Sequence, residues 1–415
     1  MKIGRKFSLK NGLFRDISIF RFALLLVLGF VGMGAVFGIT MSGVTRSKNP
    51  EIALKFVSGD GVALANLADQ TYTQSFTNPP DKVRKLALAA LRKQAINPKA
   101  LRNLGYLSDA KGKPAKAEQL IRMAAKLSRR ETGAQMWLIE AEARKGNTRQ
   151  TLAHYDIALR TKPETQEIFF PRLVAAIEDP EIRDALKPFF SAEASWTVNF
   201  LYFAVATSEA PSTVVDLIIE TGGVRDPQAS REQQVVLLNR LVRVGDYANL
   251  KRFFLTIPGS NRRSLVNAGF AASDLTERFG PLSWQITGDA DAGGGFATAT
   301  ANQRPVLSVF ANSGITRTVA RKTMYLKPGQ FKFDAKLANV NENGDGYIRW
   351  QISCRTKTGD ELVWSKDSAR TMSGDTITLP STCLVQLFEI VVSGGSLQGS
   401  FEATIADSKL TPSKV

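Results

Sequence analysis

Few residues of this chain are equipped for bond-making chemistry, and their spacing points away from catalysis. There is one histidine, His154, and two cysteines, Cys354 and Cys383. His154 stands beside Tyr155 in the middle of a helical pattern, where an imidazole more often packs or faces solvent than abstracts a proton. No Gly-x-Ser-x-Gly elbow, His-Glu-x-x-His helix, Walker loop or dinucleotide fingerprint occurs. One histidine and two cysteines do not make up the four-ligand set of a structural zinc site, so neither a metal nor a cofactor is expected. Carboxylates are a separate case, because a glycosidase needs only two in a cleft. Asp289, Asp291 and Asp345 are the acids in question; they sit in turn-like sequence, the usual place of solvated acids. A hydrolase or lyase built on them stands as the alternative to a binding role.

Asn341-Glu342-Asn343-Gly344-Asp345-Gly346-Tyr347 spaces oxygen side chains as the start of a calcium loop does. The first position is Asn, and position twelve is Ile352 rather than a bidentate Glu, which favours a plain hairpin turn. Sugar binding needs exposed rings with amides and carboxylates nearby. Trp350 alternates with Ile348 and Ile352, so these three share one face, the pattern of a core. Tyr347 and Trp364 adjoin turn residues or charges and are the candidates for an exposed platform. Cys354 and Cys383, both in the C-terminal third, read most simply as one disulfide, with two buried thiols as the alternative.

Phe22 to Met41 is twenty residues without a charge, about the length that crosses a hydrocarbon core. Lys2, Arg5, Lys6, Lys10, Arg15 and Arg21 precede it; only Arg46 and Lys48 come closely after it. The positive-inside bias predicts a cytoplasmic tail at 1–21, a membrane helix at 22–41 and the remainder across the bilayer. A cleaved signal peptide is the competing reading, weakened by the mediocre small-residue site Thr40-Met41-Ser42. Gly34 and Gly38 form a GxxxG, the pattern of a homodimer seam.

The formal charge of +16 is uneven. Residues 80–165 hold nineteen Lys/Arg against eight acids, whereas residues 166–415 hold twenty-six of each. Such a surplus suits an anionic partner or simply solvated helix faces. Nucleic acid is not expected, since aromatics are sparse among these basic residues. A cytoplasm-facing adaptor with nucleic-acid-binding basic repeats is nevertheless the second alternative to the binding role favoured here.

Residues 98–130 align with 132–164 at an offset of 34: Ala100 on Ala134, Leu104 on Leu138, Gly112 on Gly146, Ala124 on Ala158. Each copy reads as helix, glycine turn and helix. This period resembles the tetratricopeptide repeat (TPR), through Leu104-Gly105, Gly112, Ala117, Ile121 and Ala124, then Leu138, Gly146, Tyr155, Ala158 and Pro163. Ile139 and Thr151 depart from the family pattern. The resemblance implies a partner-binding scaffold whose ligands lie on each repeat's first helix, here Lys99, Arg102, Tyr106 and Asp109, then Met136, Glu140 and Arg144. Helical patterning before and after these copies (98–131 and 132–165) predicts one right-handed α-solenoid over 52–275.

Beyond Phe279-Gly280-Pro281 alternation of period two takes over, with turn signals at Gly293-Gly294-Gly295, Pro328-Gly329, Asn343-Gly344, Thr358-Gly359-Asp360 and Ser373-Gly374-Asp375. Eight or so strands over 280–411 predict an all-β sandwich. The Trp284 strand, Leu326-Lys327-Pro328-Gly329-Gln330-Phe331, the Ile348–Ile352 strand and Gly399–Ile405 resemble the jelly rolls of carbohydrate-binding modules. The combination leads to an expected role: a single-pass protein of the bacterial inner membrane, bulk periplasmic, holding envelope proteins and contacting polysaccharide in envelope or exopolysaccharide biogenesis.

Overall fold

Apolar residues at helical spacing form fourteen α-helices among the described residues, and alternating ones form ten strands. The computed structural model describes residues 19–75, 79–222, 229–298, 304–341, 344–396 and 399–413. The basic tail before residue 19, and Glu342 and Asn343 of the oxygen-rich turn, lie outside the described residues. Two compact units divide the chain, residues Met1–Thr165 and Gln166–Val415.

In the first unit, α1 (Ile19–Thr45) is long and apolar enough to cross a membrane, and its apolar side chains from Phe22 onwards are exposed. After the short α2 (Pro50–Phe56) come three hairpins: α3 (Gly61–Gln74) with α4 (Asp81–Lys93), α5 (Pro98–Ala110) with α6 (Pro114–Leu127), and α7 (Thr132–Arg144) with α8 (Thr148–Thr161). Their solenoid-like stacking arises from small residues at the crossings. Ala87, Ala90, Ala117, Ala124 and Ala158 are fully buried. Gly105 is the tightest case: a Cβ there would lie 2.4 Å from Ile121 Cγ1 and 3.3 Å from the Ala117 carbonyl. Ile121 is itself wholly buried and has no room to yield. The helix therefore tolerates a glycine costing about 1 kcal/mol of propensity relative to alanine. Gly112 and Gly146 end the first helices with φ of +66° and +72°, a conformation glycine adopts without a Cβ clash.

The second unit opens with α9 (Gln166–Ala176), α10 (Pro180–Ser191), α11 (Thr197–Thr207), α12 (Pro211–Thr221), α13 (Ala229–Arg243) and α14 (Tyr247–Phe254). The strands are β1 (Gln285–Ile286), β2 (Ala292–Thr298), β3 (Pro305–Asn312), β4 (Thr316–Met324), β5 (Gly329–Ala338), β6 (Tyr347–Arg355), β7 (Asp360–Ser368), β8 (Met372–Leu379), β9 (Gln386–Ser393) and β10 (Ser400–Pro412). They pair antiparallel in two five-stranded sheets, ordered β1-β4-β9-β6-β7 and β2-β3-β10-β5-β8. Between the sheets, Phe333, Trp350 and Phe388 meet with ring centroids 5.0 to 6.0 Å apart, and Trp284 lies 5.3 Å from Phe388. Ile348, Trp350 and Ile352 are fully buried, as their alternation predicts.

Helices 166–254 cluster with the sandwich, so the units part at Thr165 and not at the change of texture near residue 280. Hydrogen bonds tie α14 and the segment after it to the sandwich. Tyr325 N donates to Leu265 O (2.8 Å) and Tyr325 Oη to Tyr247 O (2.7 Å), while Trp284 Nε1 and Ser408 Oγ both donate to Ala268 O. Two expected turns are strand instead. Gly293-Gly294-Gly295 runs through β2, where a Cβ on Gly293 would meet the Phe310 ring at 3.2 Å and one on Gly294 the Ser308 carbonyl at 3.2 Å. Ser373-Gly374-Asp375 is a bulge in β8: Gly374 has φ +74°, and Asp334 Oδ1 accepts from Ser373 Oγ and Gly374 N.

Cys354 at the end of β6 and Cys383 before β9 are joined in a disulfide, Cα–Cα 5.3 Å and 29 residues apart in sequence. Closing a loop of that length stabilises a fold by about 3–4 kcal/mol on the chain-entropy account. Reduction, or the Cys354→Ser/Cys383→Ser double variant, is expected to lower the unfolding free energy of the second unit by about 3 kcal/mol. Urea unfolding with and without reductant measures it; superimposable curves would refute the bond's contribution.

Candidate functional site

Along the first helices of the hairpins a polar network crosses from one repeat to the next. It begins just past the end of α1, where Asn66 Nδ2 donates to Arg46 O (2.6 Å). Lys99 Nζ, half-exposed, donates to Asn66 Oδ1 (2.7 Å) and lies 3.9 Å from Asp69. Arg102 then joins three hairpins. Its guanidinium is paired with Asp69 in α3 and with Glu131 before α7 (2.6 Å). Its side chain is 8% exposed. The same guanidinium lies over the Tyr106 ring, Cζ 5.3 Å from the centroid. Tyr106 Oη donates to Gly133 O (2.8 Å), and the Tyr106 ring packs 5.3 Å from Tyr72. Burial pushes the Tyr106 hydroxyl up to about 12, with Arg102 opposing and Asp69 and Glu131 adding. Asp109 accepts from Trp137 Nε1 at 2.8 Å.

Lys99, Arg102, Tyr106 and Asp109 thus come together, but as joints between repeats. Arg102, expected to face a partner, is buried among carboxylates that demand it, and is corrected to a structural residue. Met136 is half-buried, while Glu140 and Arg144 are exposed on α7. Asp69, Tyr72, Glu131 and Trp137 complete the network without having been singled out in the sequence. Tyr72 carries a legible signal, standing 34 residues before Tyr106.

His154 is half-buried, and its Nδ1 is hydrogen-bonded to Gln135 Oε1 (2.7 Å). Nearby, Glu118 and Glu142 bind Arg122 and Lys145. Burial and then the Arg122 charge hold His154 below the usual imidazole value, against a pull from Glu142.

On the sandwich, Tyr347 and Trp364 do not form a joint platform. Tyr347 pairs with Ser393 on the outward face of β6, beneath the Arg349 guanidinium, 5.4 Å from its ring. Arg349 is clamped on Asp367 through two nitrogens, and Gln351 donates to Glu389 on the same face. Trp364 instead pairs with inward Ile352 and packs against Phe333, centroids 5.5 Å apart. It belongs to the core edge, which corrects its expected exposure. The acids also serve turns: Asp289 is paired with Arg317 and accepts from Asp291 N, and Asp345 accepts from Ser396 N and Oγ.

Within the second unit, a groove of about 1060 Å³ lies between the α13–α14 turn and the sandwich rim. Tyr247, Lys251, Tyr325, Lys327, Arg355 and Lys357 line it, with Glu209 and Asp246. The Tyr rings are capped by cations, Lys251 over Tyr325 and Arg355 over Tyr247. Burial raises the Tyr325 hydroxyl well above its ordinary value.

No family model matches the chain, and neither does any curated protein. The structure is similar to one from the functional characterization of Pseudomonas aeruginosa pilF, at 15% identity and TM-score 0.26, over 55% of this chain and 92% of that one. It is also similar to a CBM4 structure, at 15% identity and TM-score 0.22, over 32% of this chain and 97% of that one. Carbohydrate-binding modules of the β-sandwich superfamily match at 18% identity and TM-score 0.22, over 31% of this chain and 56% of theirs.

Removing one partner from a buried ion pair costs on the order of 3–5 kcal/mol, since a charge is left without compensation. Arg102→Ala should therefore destabilise the first unit by about that amount, and Asp69→Asn by less, because Glu131 remains; chemical denaturation reads both. An Arg102→Ala loss under about 1 kcal/mol, the range of an exposed pair, would contradict the assignment. For His154 the unfolded value is about 6.5 and the folded one lower. Its contribution to stability is then complete above about pH 6.5 and declines as pH falls towards the folded pKa. The chain's single imidazole should titrate in NMR with a midpoint below about 6.5; a midpoint above it would be the contrary result.

Proposed function

We propose that this chain is a membrane-anchored scaffold of the bacterial cell envelope, facing the periplasm, whose helical repeats hold a protein partner and whose sandwich contacts a glycan. The observation that carries this is the face of α5 and α7: once the network between repeats is satisfied, Lys99 and Met136 remain half-exposed and Glu140 and Arg144 exposed. A cation on α5, and a thioether, an acid and a second cation at i, i+4, i+8 on α7, suit a partner segment of mixed charge with an apolar residue between. The apolar α1 supports the anchor, and the disulfide suits an oxidising compartment. The solenoid is taken to span 52–275 and the sandwich 280–411. For the glycan, the outward face of β6 carries the Tyr347 ring and, about 13 Å further along the strand, the Gln351 amide bonded to the Glu389 carboxylate. A homodimer through Gly34 and Gly38 remains part of the proposal with Gly34 open, although a Cβ on Gly38 would lie 3.6 Å from the Phe56 carbonyl of its own chain.

A photo-crosslinking residue in place of Met136 or Glu140 in the full-length protein, in intact cells, is the test of the scaffold. The expected result is one discrete adduct with an envelope protein, lost on Arg144→Glu, and none from the same probe at Gln150 on α8. Equal labelling from all three positions, or indifference to Arg144→Glu, would defeat the reading. Protease added to sealed spheroplasts should remove everything beyond α1; protection of the bulk would reverse the orientation.

A further inference from the structure

The last turns of α1 are packed against the chain that emerges from them. After Thr45 the backbone turns back, and α2 runs alongside the end of the apolar helix. Phe56 stacks edge-on against Phe37, centroids 6.0 Å apart. The Phe56 carbonyl comes within 3.6 Å of a Cβ built on Gly38. Ser42 Oγ donates to Asp60 Oδ2 at 2.7 Å, which fixes the start of α3 at the same level. Asn97 Nδ2 donates to Gly61 O (3.0 Å), and the Lys93 side chain lies over Gly59, so the α4–α5 loop joins this layer.

A helix rises about 1.5 Å per residue, so the apolar run Phe22–Met41 fills about 30 Å, one hydrocarbon core. Gly38, one turn inside its end, is then about 5 Å below the boundary. The chain segments beside it expose apolar side chains, Ile52 at 42%, Phe56 at 40% and Ile96 at 68%, with Glu51 exposed at the start of α2. Exposed Lys55 and Lys93 flank them. Bulky apolar groups at acyl depth with amines reaching the phosphate layer is the composition of an interfacial contact.

We propose that Ile52, Phe56 and Ile96, flanked by Lys55 and Lys93, form a membrane-contact surface that seats the first hairpin in the headgroup–acyl boundary of the bilayer holding α1. The proposal rests on α1 spanning that bilayer. Its occupant is lipid because the surface is continuous with the helix, is held at the helix's own boundary by the Ser42, Asn66 and Asn97 side-chain hydrogen bonds, and pairs apolar groups with cations.

Depth measurement by spin labels tests it on the full-length protein in phosphatidylcholine–phosphatidylglycerol vesicles. Both native cysteines are in the disulfide, so single added cysteines label uniquely. Phe30→Cys reports the anchor, Phe56→Cys and Ile96→Cys the proposed contact, and Lys126→Cys on α6 the aqueous reference. The expected result is several-fold lower collision with a soluble nickel chelate at residues 56 and 96 than at 126, and deeper burial at 30. Ile96, in a loop, keeps the test intact where Phe56→Cys disturbs the α1–α2 packing. Residues 56 and 96 as accessible as 126, with 30 still in lipid, would overturn this contact alone. All four accessible would overturn the anchor and the contact together.

Discussion

A guanidinium withdrawn from water has to be met by acceptors, and that demand organises the first unit. Arg102 reaches back 33 residues to Asp69 and forward 29 to Glu131, so its burial is possible only when three hairpins are stacked in register. Only its Nε lacks a partner. Hydrophobic contact between hairpins of alanine-rich helices is non-directional and tolerates sliding; a buried charge with fixed acceptors does not. Small residues bring the helices close, and the ion pairs set which turn faces which. The Tyr106 and Trp137 hydrogen bonds repeat the same logic one turn further along.

What the sequence discloses depends on which of these forces is periodic. Alanine and glycine at crossings recur every 34 residues because each hairpin solves the same steric problem, and the helical boundaries are legible from them. Arg102 was legible as a residue on the first helix but not as a buried one. Its acceptor Asp69 lies in a hairpin without the clear alanine–glycine pattern, and Glu131 lies in a connection. The sheets show a similar division. Ile348, Trp350 and Ile352 gave their face away by parity. Trp364 did not, because the register shifts beyond Ile352 and places Trp364 inward while Leu362, two residues earlier, pairs with outward Ser353 and is 60% exposed. A bulge exchanges the faces of a strand, and nothing in its alternation announces the exchange. Gly293–Gly295 misled for a related reason. Glycine makes turns, but it also fills a strand where a neighbouring ring leaves no space for a Cβ.

The second unit illustrates why a change in sequence texture need not be a boundary of packing. Its helices and sheets are covered by different hydrophobic patterns, yet Tyr325 spans them with both its backbone and its hydroxyl. Arg355 does the same from the sandwich, bonding Thr323 and Asp360 while stacking on Tyr247. The cations of the groove are therefore partly engaged in holding its walls, which limits how freely they answer a ligand. The outward face of β6 shows the same arrangement: Arg349 is committed to Asp367, lies over the Tyr347 ring and donates to its hydroxyl.

Anchor and repeats share one set of polar contacts. The network that ends at Trp137 starts at the Arg46 carbonyl, just past the last turn of α1, and passes through Asn66, Lys99 and Asp69 to Arg102. A tether of glycine and serine would let a domain wander over the radius of its linker. Here only Arg46, Ser47 and Lys48 separate α1 from the Asn49 that precedes α2, and side-chain bonds close this link on both sides. The direction in which α5 and α7 present Met136, Glu140 and Arg144 is thereby set relative to the axis of α1. The buried ion pairs fix orientation between hairpins, which apolar packing alone does not.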